Sequence, residues 1–528
     1  MNSTIRRTSL GLWLGASAFL VQILPAQTAP KLSIHMQTGH AGITITGTVS
    51  TLYTIESTAN LALTNDWVAL TNVVLPTNPW VYIDYNSPGM VKRFYRARTI
   101  VQPLAPVISN NLVAYWDASQ GVGTVNFSPA WSAATEVVNT WSDVHTKINN
   151  DGVIHVFSQS SATNMPSYLL DSFGNYCIEF PWAYSNNHPD NYLTCSSFPG
   201  VTSENVTVYV VASVSDSMNG LSLLAASVGN LMGLNPLQLT MYRKSTLMSP
   251  INKAIYVIEA DAGRYVFRIN NTQQVDTPLV DRELNSLELG GHSASALFSG
   301  RIYAALIYST GHSDQQIQTN VNALAGFYSV VTNYTAQACC VGDSITVGIG
   351  STNLQSWPYQ LYESCTNVLF YNWGVGGITI GINGDIPGTT MYSYGLNVDL
   401  LLSGSLTNWI LIKAGINDMN SGVDPISTFG RRTNYVQARL TAGWNKVAIG
   451  TLASEAPGVG PAGVSNYNYF IRSYTLPTNT VIADAGLNST NETRLNDPGN
   501  TTYYYDTLHL VNAGYAVIAE HFRLLLNP

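Results

Sequence analysis

Charge is what this sequence has least of. Asp, Glu, Lys and Arg together make up 10% of its 528 residues, and 23 basic against 31 acidic side chains leave a net charge of −8. With no run of Lys or Arg, neither nucleic acid nor an anionic membrane is expected as a partner. Long apolar runs are also lacking. Beyond the N-terminus no segment approaches 18 uninterrupted apolar residues, so no transmembrane segment is expected. Cysteine is scarce, with five in the chain, and their spacing does not suggest a metal site. Cys177 and Cys195 are close enough to staple one loop, while Cys339, Cys340 and Cys365 leave at least one thiol over; burial as small apolar side chains is the alternative. Gly, Thr, Ser, Asn and Tyr are abundant instead, a balance that suits a β-rich extracellular protein.

The length sets a prior of two to four domains. Residues 1–29 read as a secretory signal: Arg6 and Arg7 precede an apolar stretch over residues 10–24, and Ala26 and Ala29 offer small-residue cleavage points. Ser9 stands where a twin-arginine signal prefers an apolar residue, so general secretion is expected, to the cell exterior or periplasm. No cysteine follows the signal to carry a lipid. Residues 30–102 alternate apolar and polar, as in "GITITGTVSTLYTIES", which places Ile43, Ile45, Tyr53 and Ile55 among Thr and Ser. A small all-β sandwich is predicted there, followed by a stiff linker at Pro103 and Pro106.

Residues 108–333 are again strand-rich ("LVAYWDAS", "VTVYVVASV", "RIYAALIYS") and close on a helix. Ser313 is its N-cap, Gln316 completes a capping box, and Ile317, Val321 and Leu324 share a face. The opening strand and the closing strand-plus-helix resemble concanavalin-A-like, laminin-G-like jelly rolls. That resemblance implies glycan binding, but no short motif assigns binding residues.

From residue 335 to 528 the pattern changes. Apolar runs of buried-strand type ("QACCVG", "VLFYNWG", "NWILIKAG", "KVAIGTLA", "TVIADAG") alternate with helix candidates at 356–365, 426–443 and 464–475 and a last one for which Asn512 is the expected N-cap. Strands buried on both faces and separated by helices predict a parallel sheet in a three-layer α/β domain. Ligands bind such sheets outside the carboxyl ends of the strands, and Ser344 ends the first one in "CCVGDSITVG".

A serine hydroxyl needs a base, and the base an orienting group. Two histidines fall in this region. His521 lies well inside the last helix and reads as packing or solvated. His509 precedes that helix and lies three residues after Asp506, a spacing that lets the carboxylate meet Nδ1 and leaves Nε2 free. Two further strand-end loops offer donors for a developing oxyanion: "NWGVGGIT", with Gly374, Gly376 and Gly377, and "AGINDM", with the Asn417 amide. Each alone is as readily an ordinary turn or cap.

The four loops in this order (G-D-S, G-x-x-G, G-x-N-D, D-x-x-H) resemble the SGNH (GDSL-like) hydrolase family over about the last 190 residues. The resemblance implies Ser344 as nucleophile, His509 as base and acid, and Asp506 as its orienter. The Ser344 and Gly377 backbone N–H groups and the Asn417 amide then form the oxyanion hole. It implies ester hydrolysis through an acyl-enzyme with no metal or organic cofactor. With the export signal and two β modules, the expected substrate is an acylated polysaccharide, and Trp357, Trp373 and Tyr505 are candidate sugar-stacking aromatics, although each such residue is more often part of a core. A lipase-like or general acyl-ester hydrolase is the alternative. A glycan-binding surface protein with a vestigial hydrolase domain is a third reading.

Overall fold

The computed structural model describes residues 30–526 with interruptions, the longest at 181–192 and 227–249; after residue 296 only 353, 387, 454–458 and 490–491 are left out. The export signal and the linker prolines lie outside the described residues. The chain forms two compact units, Met1–Gln102 and Pro103–Pro528.

The first unit holds two three-stranded antiparallel sheets. One joins Lys31–Gln37, His40–Thr46 and Trp80–Asp84, the other Val68–Val74, Leu52–Thr58 and Phe94–Thr99. The period of two sends Ile43, Ile45, Tyr53 and Ile55 into one shared core.

The second unit begins with a mostly antiparallel assembly around the fully buried strand Gly300–Tyr308, which pairs with Asn205–Val214, Tyr176–Phe180 and Leu112–Asp117. Val208 and Val210 enter one core, while Tyr209 and Val211 enter another that the helix Asp314–Tyr328 covers with Ile317, Val321 and Leu324. That helix starts at the capping box expected of Ser313 and Gln316. The expected Cys177–Cys195 staple is not formed: all five cysteines are buried and remain thiols. Cys195 packs in the first core and Cys177 in the second, so neighbours in sequence serve different cores.

The C-terminal region is a five-stranded parallel sheet: β1 (Ala336–Gly342), β2 (Val368–Gly374), β3 (Thr407–Lys413), β4 (Lys446–Gly450) and β5 (Thr480–Ala483). Its spatial order is β2-β1-β3-β4-β5. Helices α1 (Ser344–Val347), α2 (Trp357–Ser364), α3 (Met391–Asp399), α4 (Ile416–Asn420), α5 (Pro425–Ala442), α6 (Pro461–Ser473) and α7 (Asn512–Leu526) connect and follow the strands. Alternation along β1 explains the layers. Ala338 and Cys340 pack with Trp357 of α2 and Phe522 of α7; Cys339 and Val341 pack with Val398 of α3, Val436 of α5 and Ile471 of α6. The order reverses direction at β1, and such switch points open a crevice at the strands' carboxyl ends. Among the described residues no helix is long and apolar enough to cross a membrane.

β2 is an edge strand, and the antiparallel region covers it. The Ile251 N–H donates to the Phe370 carbonyl at 2.9 Å, the Asn252 side-chain oxygen accepts from the Phe370 N–H at 2.6 Å, and its amide donates to the Val368 carbonyl at 3.0 Å. Arg301, paired with Glu179 at 2.9 Å, reaches Glu363 of α2 at 3.2 Å. Removing the side chain in Asn252→Ala leaves a buried donor and acceptor unpaired. It is expected to lower the stability of the second unit by about 1–3 kcal/mol, read as an earlier denaturant transition; an unchanged transition would show these bonds dispensable.

Candidate active site

The site grows from the end of β1. Gly342 must be glycine there, because a Cβ would lie 2.1 Å from the Lys413 carbonyl oxygen. That close approach lets the chain turn at once into α1. Asp343 caps the helix through its carboxylate, which accepts the Ile345 N–H at 3.0 Å, and Ser344 is its first residue. The hydroxyl is thus set on a one-turn helix rooted at the strand order's switch point.

His509 arrives from the other end of the sequence on a tight loop. An isolated bridge joins Tyr504 to Leu510, and the Tyr505 N–H donates to the His509 carbonyl at 2.9 Å. The buried Tyr504 hydroxyl anchors the loop on the Ala453 carbonyl at 2.6 Å, with the Leu495 carbonyl also within reach. On this loop Asp506 meets His509 Nδ1 at 2.9 Å, and its other oxygen accepts the backbone N–H of Leu508 at 2.7 Å. Burial raises the Asp506 pKa, but hydrogen bonds from the His509 ring and from the backbone outweigh it and hold the carboxyl below its usual range. His509 Nε2 lies 3.0 Å from Ser344 Oγ. Carboxylate, imidazole and hydroxyl therefore stand in line, with the imidazole in reach of the hydroxyl proton.

The two donor loops are tied together. The Val375 N–H donates to the Gly342 carbonyl at 2.9 Å, and the turn that follows closes from Ile378 N–H to the Val375 carbonyl at 3.2 Å. Gly377 occupies that turn with φ +75°, a left-handed conformation that suits glycine, and nothing lies within 4 Å of where a Cβ would be. The Asn417 amide donates to the Ile378 carbonyl at 3.0 Å, which fixes its orientation and leaves its second N–H available. Asp418, fully buried, accepts from Ile380 N–H at 2.8 Å and from Arg431 at 3.1 Å. The sequence reading gave Asp418 no role; an acidic residue beside Asn417 in a charge-poor chain was the signal for it.

Trp357 and Trp373 take the core role that is the commoner one for such residues, and only Tyr505 of the three candidate aromatics faces solvent. Asn512 is the first residue of α7, not its cap. Its side chain instead accepts from Thr352 N–H at 2.8 Å and donates to Thr352 Oγ1 at 2.9 Å, tying the helix to the loop after α1. His521 lies 3.4 Å from Glu492, within an ion-pair group that includes Arg494.

Behind Ser344 lies a buried charge cluster. Burial pushes the Asp343 carboxyl up to about 6, offset in part by the Ile345 N–H and then by the charges of Lys413 and His509. Burial pushes Lys413 down to about 7 against the pull of Asp343. Arg432, also buried, donates to the Gly450 carbonyl at 3.1 Å and stacks 4.7 Å from the Tyr467 ring centre. Asp343 in the folded protein binds its proton more tightly than the unfolded carboxyl, whose pKa is about 4. Its contribution to stability is fully present below about pH 4 and is lost as pH rises through about 6. Asp343→Asn keeps the cap but not the titration. Thermal melts are expected to show the wild type losing stability relative to this variant between those pH values; parallel curves would show that Asp343 does not titrate there.

A parallel α/β/α layer carrying hydroxyl, imidazole and carboxylate in line at its carboxyl edge is the fold and donor set of a hydrolase. Residues 340–517 match the model of the GDSL-like Lipase/Acylhydrolase family, and the protein is an ester hydrolase. Similar solved structures include a member of the lipolytic protein G-D-S-L family from Veillonella parvula (21% identity, 36% of this chain and 97% of that one, TM-score 0.30). Others are a carbohydrate acetylesterase family member from Sinorhizobium meliloti (14%, 36% and 97%, 0.28) and an inhibitor-bound aryl esterase from M. smegmatis (17%, 36% and 98%, 0.28). No curated protein matches the chain.

Proposed function

We propose that this protein is a secreted SGNH-type serine esterase that removes acetyl or other small acyl groups from polysaccharide. The observation that carries the serine mechanism is the continuous hydrogen-bonded line from Asp506 through His509 to Ser344, at 2.9 and 3.0 Å. Ser344 gives its proton to His509 Nε2 as Oγ bonds to the ester carbonyl carbon. The oxyanion accepts from the Ser344 and Gly377 N–H groups and from the remaining N–H of the Asn417 amide. Collapse of the tetrahedral species breaks the bond to the alcohol, whose oxygen takes the proton from His509. Water then adds to the acyl-enzyme and gives its proton to His509, which returns it to Ser344 Oγ as the acid leaves.

Support for a carbohydrate substrate comes from the domain company. The signal-like residues 1–29 are consistent with export, and the helix-covered antiparallel region is consistent with a concanavalin-A-like jelly roll that holds glycan. A lipase-like reading has one observation in its favour: Ile382 and Ile386, on the loop beyond Gly377, are 52% and 73% exposed and offer apolar surface.

Acetate release from acetylated plant and algal polysaccharides is compared with turnover of long-chain acyl esters. The acetylated polysaccharides are expected to be hydrolysed faster; faster long-chain turnover would overturn the carbohydrate reading. Ser344→Ala is expected to lower kcat by about 10⁴-fold or more, and retained activity would remove Ser344 from its role. Asn417→Ala is expected to lower kcat about 10²–10³-fold with a smaller effect on KM; a change in KM alone would assign Asn417 to ground-state binding.

A further inference from the structure

We infer that Tyr505 is the platform on which the ring of the leaving alcohol rests, and therefore a specificity-determining residue for esters of cyclic alcohols, a pyranose above all. The inference rests on the serine mechanism proposed above and narrows its substrate to one side of the scissile bond.

Tyr503, Tyr504 and Tyr505 are consecutive in the chain but have different surroundings. Tyr503 packs at the border of a core, Tyr504 is buried with its hydroxyl on backbone carbonyls, and Tyr505 is 67% exposed. An aromatic ring left in water is common on surfaces and by itself means nothing. Here its position is fixed from two directions. The Tyr505 N–H donates to the His509 carbonyl at 2.9 Å, so the residue sits on the same turn as the base. The root of its side chain rests on Gly350: a Cβ at that glycine would lie 2.8 Å from Tyr505 Cβ and 3.1 Å from Cγ, and Gly350 has φ +90°. Gly350 belongs to the loop that leaves α1, where the N–H groups of Gly348 and Ile349 both return to the Ser344 carbonyl, at 3.0 and 3.1 Å. Tyr505 thus spans the join between the loop carrying the base and the loop carrying the nucleophile, with its backbone and Cβ held and its ring in solvent.

The mechanism decides what meets it. His509 Nε2 must come within hydrogen-bond distance of the leaving oxygen to protonate it, so the alcohol departs on the His509 side. The oxyanion lies among Gly377 and Asn417 on another loop pair, and the acyl group follows from the same carbonyl carbon. The inference places the exposed ring of the His509 turn against the alcohol half of the ester. A pyranose presents an apolar face of C–H bonds ringed by hydroxyls. A tyrosine supplies a flat apolar body with a polar tip that stays hydrated, and a ring held at its root loses little freedom on binding.

The test compares three acetyl esters that share their acyl group: an acetylated methyl xyloside, cyclohexyl acetate and ethyl acetate. In Tyr505→Ala, the ratio of kcat/KM for each ring ester to that for ethyl acetate is expected to fall about tenfold, mostly through KM, and Tyr505→Phe is expected to restore it. Equal losses on all three esters, or ratios unchanged in Tyr505→Ala, would overturn the platform. A wild type that hydrolyses the xyloside poorly but loses its preference for cyclohexyl over ethyl acetate in Tyr505→Ala would uphold the platform and sink the carbohydrate reading instead.

Discussion

The contact on which the rest of the site depends is the 3.0 Å approach of His509 Nε2 to Ser344 Oγ, between residues 165 positions apart. Its own net contribution to stability is small, about 1 kcal/mol, yet a displacement of about 1 Å would disable it. Much of the C-terminal architecture bears on that distance. Gly342 lets β1 pass close enough to Lys413 for an immediate turn, Asp343 caps the resulting helix, the Tyr504 hydroxyl anchors the opposing loop on the Ala453 carbonyl, and Asn512 ties the start of α7 to the loop after α1. None of these groups need touch substrate. They convert a flexible loop and a strand end into two fixed points.

The part of this arrangement that depends on local spacing was legible in the sequence. Asp506 and His509 lie one turn apart, so their contact follows from chain geometry, and the five strands announce themselves as apolar runs because both faces of the sheet are covered. What depended on tertiary structure was not legible from local spacing. The meeting of Ser344 with His509 was expected only through the resemblance of the four loops, because it follows from the order β2-β1-β3-β4-β5, which no spacing encodes. Helix α3 was missed because Gly395 weakens its pattern; the glycine leaves room for the Arg439 guanidinium, which reaches Asp399 at 2.8 Å. Cys177 and Cys195 looked like a pair because they are near in sequence, but their strands aim them into different cores. For Trp357 the sequence left a sugar-stacking and a core role open, and tertiary packing decides for the core, where it stacks on Phe522 at 4.6 Å.

A chain so poor in charge places several of its charges inside. Asp343, Lys413 and Arg432 sit behind Ser344, Asp418 is locked beneath the Gly377 turn, and Glu179 and Arg301 are buried where the antiparallel region meets α2. Burying an ion is costly unless it is paired and hydrogen-bonded, and apolar residues would fill the same volume at less cost. These ions lie at joins: between strand ends, between loops, and between layers. A directional contact fixes one geometry at a join, whereas apolar packing tolerates several.

The Asn252 segment along β2 has a consequence for how this protein can be taken apart. An edge strand with unsatisfied N–H and C=O groups is a template for pairing with another chain, and here the cover comes from a region that precedes the hydrolase fold in sequence. Cutting the chain at the start of β1 would leave Val368 and Phe370 without their partners in that region. The catalytic fold is therefore not a portable cassette. An excised version would carry a sticky flank and tend to aggregate, and transplanting the activity onto another scaffold would require bringing the antiparallel region with it or blunting that strand with charge.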